Sequence, residues 1–122
     1  MDERRTRALS GGAQLDEVVH QRNRLAILAV LEEASKAEFG FLQSTLELTP
    51  GNLSRHLEIL ENAGYVAIEK GYSGRRPRTW VRITKAGRAA LRAEVTALRT
   101  MLRQVDDLPT ARPKARSKDD VT

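Results

Sequence analysis

The strongest constraint on the fold of this chain is a change of period at Gly64. Before it, Leu53, Leu57 and Leu60 recur at i, i+4 and i+7, which puts one apolar stripe on a helix. After it, Val66 and Ile68 alternate with Ala67 and Glu69, and farther on Val81 and Ile83 alternate with Trp80 and Arg82, the pattern of half-buried strands. A chain that switches period across one glycine places a helix beside a pair of strands. The start of the helix is equally marked. Thr49 offers a hydroxyl to the first-turn amides, and Pro50 suits the first helical position because its missing N–H would be unpaired there. The stripe therefore belongs to a helix over residues 50–63. Its opposite face carries Gly51, Asn52, Arg55, Glu58, Ile59 and Asn62, with Ser54 and His56 on the shoulders.

Upstream, residues 41–46 read as a short helix with Leu42 and Leu46 inward, followed by a tight turn at Glu47 and Leu48. Phe39, before Gly40, is expected to make a strand of one or two residues. A short helix, a tight turn and a second helix with a polar outer face form a helix-turn-helix pattern. Residues 15–34 read as a single helix, with Asp16 and Glu17 in its first turn and no Gly or Pro inside. Leu25, Ile27, Leu28, Val30 and Leu31 point in nearly every direction, so this helix is expected to be buried on two sides: its own core, and a partner subunit met through Leu28. His20 reads as a surface histidine.

Residues 71–78, GYSGRRPR, are expected to project as a flexible basic loop, too long for a two-residue hairpin. Thr84 caps a last helix over residues 85–106, where Leu91, Val95, Leu98, Leu102 and Val105 are spaced 4, 3, 4 and 3 apart as a heptad seam. At about 1.5 Å per residue that helix is roughly 30 Å long, more than a small core requires. It is therefore read as a dimerisation helix. Residues 1–14 and 107–122 are polar and aperiodic, expected as a disordered arm and tail around one domain over 15–106.

Charge narrows the function. Lys70, Arg75, Arg76, Arg78, Arg82, Lys85 and Arg88 follow one another with no acidic residue between them, in a chain of formal charge +5. Such a positive edge favours a polyanion as partner. The absence of cysteine excludes disulfides and thiolate metal sites, and with two histidines neither a metal centre nor a cofactor is expected. No apolar run approaches the roughly 18 residues of a membrane span, and residues 1–14 have no apolar signal core, so a cytoplasmic protein is expected. Enzymatic chemistry is not expected. Ser54 and His56 are too close along one helix to act as nucleophile and base, and no glycine-rich phosphate loop precedes a helix.

The runs NLSRHLEILENAGYV and EKGYSGRRPRTWVRITKAGRAAL, with SRHL, LENAGYV and TKAG in that order, resemble the winged-helix domain of small bacterial and archaeal transcription regulators of the ArsR/MarR-like group. The resemblance covers residues 15–102. It implies an α+β winged helix, a three-helix core with a two-stranded β-wing, plus the long C-terminal dimerisation helix. It also implies a homodimer on double-stranded DNA, with the second helix of the motif in the major groove and the wing on the backbone or in the minor groove. Carried onto this sequence, the base-reading positions are Thr49, Gly51, Asn52, Ser54, Arg55 and His56, and the wing positions are Arg75, Arg76 and Arg78. Leu28, Leu91, Val95, Leu98 and Leu102 are the expected dimer interface.

Two departures stand out. Relatives often carry glycine where Glu47 stands, so the turn requires Glu47 to take a strained geometry or the backbone to take another route. Ile59 is apolar on the outward face. The competing expectation is a winged-helix protein-interaction module without DNA binding, whose recognition face would be acidic or apolar and whose wing neutral; here only Glu58 fits it. A small-molecule effector would find an apolar cleft between the first and last helices, although no polar constellation points to one.

Overall fold

The computed structural model describes residues 16–109. The arm expected over residues 1–14, Leu15, and the tail from residue 110 lie outside the described residues. In chain order the elements are α1 (Arg22–Ala34), β1 (Lys36–Glu38), α2 (Phe39–Leu46), α3 (Pro50–Asn62), β2 (Val66–Ser73), β3 (Arg76–Ile83) and α4 (Lys85–Asp106). The strands make one antiparallel sheet in the order β1-β3-β2, with Val66 opposite Ile83 and Ser73 opposite Arg76. Val66, Val81 and Ile83 face the helices and share one core with Ile27, Leu31, Leu42, Leu53, Leu57 and Leu60. This is the expected α+β winged helix with a long last helix, its hairpin widened by a third short strand.

The elements differ from the sequence expectations in four places. Helix α1 begins at Arg22 rather than near residue 15, because Asp16 organises a turn instead: its Oδ1 accepts from the Val18 and Val19 amides at 2.9 and 3.4 Å. Gln21 then caps the helix through the Arg24 amide. The short strand lies at Lys36–Glu38, and Phe39 opens α2. The wing is no flexible loop. Strands β2 and β3 stay paired to Ser73 and Arg76, leaving Gly74 and Arg75 as a two-residue turn. Gly74 has φ +65, the positive φ at the first turn position that suits a tight hairpin. Finally, Leu28 is 0% exposed inside the protomer, so its side chain serves this core and not a partner.

Glu47 takes the left-handed conformation at φ 55, ψ 48, and its amide closes the end of α2. A residue with a Cβ is strained there by about 1 kcal/mol. Glu47→Gly is expected to raise unfolding stability by about that amount in urea denaturation.

Thr84 caps α4, accepting from the Gly87 amide at 2.9 Å and donating its hydroxyl to the Gly64 carbonyl at 2.6 Å. The turn at residues 16–20 is fastened to the same helix. Glu94, whose side chain is wholly buried, lies 2.6 Å from His20 Nδ1 and accepts from the Asp16 amide. His20 is exposed, as expected, and is also paired with Glu94. Asp16 also accepts from the Tyr65 hydroxyl at 2.7 Å, and that bond, with burial and the carboxylate charge, pushes the phenol up to about 12.

Candidate nucleic-acid interface

Helices α2 and α3, joined by the turn at Glu47, form the helix-turn-helix. Thr49 accepts from the Asn52 amide at 3.1 Å and Pro50 occupies the first turn, as their sequence positions imply. With Leu53, Leu57 and Leu60 buried, helical geometry leaves Thr49, Gly51, Asn52, Ser54 and Arg55 exposed along one rim of the domain. His56 is half-buried on the flank nearest α1. There Arg24 Nη1 approaches its Nδ1 at 3.3 Å. Burial first, and then the charges of Arg24 and Arg55, hold its pKa below the usual histidine value.

The wing separates its arginines. Arg75 and Arg76 are exposed at the hairpin tip. Arg78, expected beside them, is two residues farther down β3, where its Nη1 lies 2.8 Å from Glu38 of β1. Strand alternation places Arg78, Trp80 and Arg82 on the outer face of the sheet, with Arg82 paired to Glu69 at 3.0 Å and Lys36 Nζ 5.1 Å from the centre of the Trp80 ring. Arg78 therefore braces the outer face of the sheet. Lys70 and Tyr72 take the opposite face. Between that face and α3 runs a groove of about 390 Å³, floored by Phe39, Leu57 and Ile68 and rimmed by Ser54, Glu58, Glu61, Lys70 and Thr79. Arg24 is the polar side chain that the sequence expectations missed. It stands 32 positions from His56, and no spacing rule connects them.

The expected dimer seam runs from core to solvent along α4. Leu91 is 3% exposed and packs into the protomer, so it is withdrawn from the interface. Val95 and Leu98 are half-buried, and Leu102 and Val105 are 63% and 57% exposed.

A helix-turn-helix backed by a basic hairpin defines a winged-helix protein, and residues 23–102 match the winged helix DNA-binding domain family. The chain belongs to that family, and by class it is a DNA-binding transcriptional regulator. It is 41% identical over 69 residues to an uncharacterized protein of Methanocaldococcus jannaschii, covering 57% of this chain and 75% of that one. Among solved structures it is similar to a transcriptional regulator homologue from Pyrococcus horikoshii, at 31% identity and a TM-score of 0.72, over 88% of this chain and 100% of that one. A Mycobacterium tuberculosis transcriptional regulator solved in complex with DNA shares the fold at 23% identity and a TM-score of 0.59, over 94% and 84% of the two chains. No helix among the described residues is long and apolar enough to cross a membrane.

Proposed function

We propose that this protein is a cytoplasmic, sequence-specific regulator that binds double-stranded DNA as a homodimer, with α3 in the major groove and the wing tip on the backbone or in the minor groove. The observation that carries this reading is the shared exposure of the polar face of α3 and of Arg75 and Arg76 on a tightly turned hairpin. Arg55 suits guanine and Asn52 suits adenine, each bidentate and each worth about 1 to 3 kcal/mol of discrimination. Two copies of α3 would enter successive major grooves about 34 Å apart. With roughly eight phosphates neutralised per dimer, log K is expected to fall with log salt at a slope near −7.

Selection of bound fragments from a genomic DNA pool tests the reading, because it reports binding, half-site spacing and base preference together. Arg55→Ala is expected to relax preference at one position per half-site; salt-insensitive failure to bind any fragment would sink the proposal. The exposed stripe of Leu102 and Val105 supports pairing through the far half of α4. Sedimentation is expected to show a dimer at micromolar concentration and a monomer for Leu102→Asp. A wild-type monomer under the same conditions would exclude that seam.

A further inference from the structure

His56 stands on the flank of α3 that meets the start of α1, and the group it meets there is a cation. A guanidinium has donors only, so at the 3.3 Å contact Arg24 Nη1 donates and His56 Nδ1 accepts. The imidazole is then neutral with its proton on Nε2, in keeping with the lowered pKa of the ring. Among the described residues, Nε2 has no protein partner.

Arg24 is itself held in place. Its Nε donates to the Val18 carbonyl at 2.6 Å, and its amide to the Gln21 side chain at 2.9 Å. Arg78, Arg82 and Arg92 each meet a carboxylate, whereas Arg24 meets none among the described residues. The pair thus places one anchored positive charge and one neutral donor without a protein partner among the described residues at the edge of α3, beside the outward face that carries Arg55.

We propose that Arg24 and His56 form a composite site for one backbone phosphate of DNA, at the rim of the groove that α3 enters. The site rests on the reading of α3 as the recognition helix. Arg24 supplies the charge and positions His56; the imidazole Nε2–H donates to a phosphodiester oxygen. A diester carries one negative charge and accepts at two free oxygens, which matches one guanidinium and one neutral donor. A base edge fits less well, because His56 lies to the side of the outward face and its partner's charge carries no sequence information.

The test uses the full chain and DNA fragments that it selects. Arg24→Met is expected to weaken binding about tenfold on every fragment and to reduce the salt slope by about 0.9 per protomer, with Arg24→Lys restoring the slope. His56→Ala is expected to weaken binding roughly 3- to 10-fold with slope and base preference unchanged. An unchanged slope in Arg24→Met, no recovery in Arg24→Lys, or an altered base preference in His56→Ala overturns the site. Nitrogen-15 NMR of the wild-type imidazoles needs no variant to fold. It is expected to show His56 as the neutral Nε2–H tautomer at pH 7.5, and a proton on Nδ1 overturns the arrangement. Wild-type protein that binds no DNA removes the regulator reading and this site together, whereas wild-type binding whose slope ignores Arg24 removes this site alone.

Discussion

Gly87→Ala is expected to lower the stability of the protein by about 2 to 3 kcal/mol. A Cβ added at Gly87 would sit 2.1 Å from the Tyr65 carbonyl oxygen and 3.0 Å from both the Tyr65 carbonyl carbon and Ile83 Cγ1. The obstacle is backbone, so no rotamer change relieves it. That carbonyl is also engaged, accepting from the Thr84 amide at 3.0 Å, while the Thr84 hydroxyl holds the neighbouring Gly64 carbonyl. Moving α4 away would break these bonds and loosen Leu91 from the core. Alanine gains about 1 kcal/mol over glycine in helix propensity, which is included in the net figure and does not reverse its sign. For a domain of this size the loss corresponds to a fall in Tm of roughly 10 to 20 °C, read by thermal unfolding. An unchanged Tm would show that α4 does not pass this close to Tyr65.

The second large effect belongs to the wing. Arg75→Ala combined with Arg76→Ala is expected to weaken DNA binding on the order of 100-fold, taking about 0.7 kcal/mol for each of the four arginine–phosphate pairs removed per dimer. The salt slope is expected to become shallower by about 3.6, since each pair contributes about 0.9. Arg75 lies in the two-residue turn beside Gly74, which is in the left-handed region, and Arg76 opens β3 directly after it, so the tip is held in one geometry, and its loss falls equally on all sequences. This is the opposite signature to Arg55→Ala, which is expected to change which sequence is preferred. Titration of labelled duplexes at several salt concentrations separates the two. Arg78→Ala serves as the contrast: its guanidinium is committed to Glu38, so a salt slope close to wild type is expected. A double wing variant that lost base preference while keeping its slope would reverse these roles.

Much of the site was legible in the sequence because its signals are local. The cap at Thr49, Pro50 in the first turn, the stripe of Leu53, Leu57 and Leu60, and the stop at Gly64 act within a few residues of one another. The wing was harder to read. Gly71, Ser73, Gly74 and Pro77 look like loop residues, yet pairing runs on through most of them. Pro77 is tolerated in β3 because β1 pairs only with Trp80, Val81 and Arg82, which leaves the other side of the strand open at Pro77. Glu47 shows the same limit from another direction. Its left-handed turn follows from how α2 must meet α3, and its own preference opposes it.

The sequence alone determined the order of elements, the polar face of α3 and the basic character of the hairpin, because periodicity and capping report on near neighbours along the chain. Tertiary structure alone decided how the shared residue types were divided. Leu28 and Leu91 went into the protomer core while Leu102 and Val105 stayed in solvent, and Arg78 went to Glu38 while Arg75 and Arg76 stayed free of the sheet's ion pairs. Arg24 came to rest against His56 across 32 residues. A leucine in a heptad, or an arginine in a basic run, carries the same local signal in either role. Which role it takes depends on what distant chain packs over it.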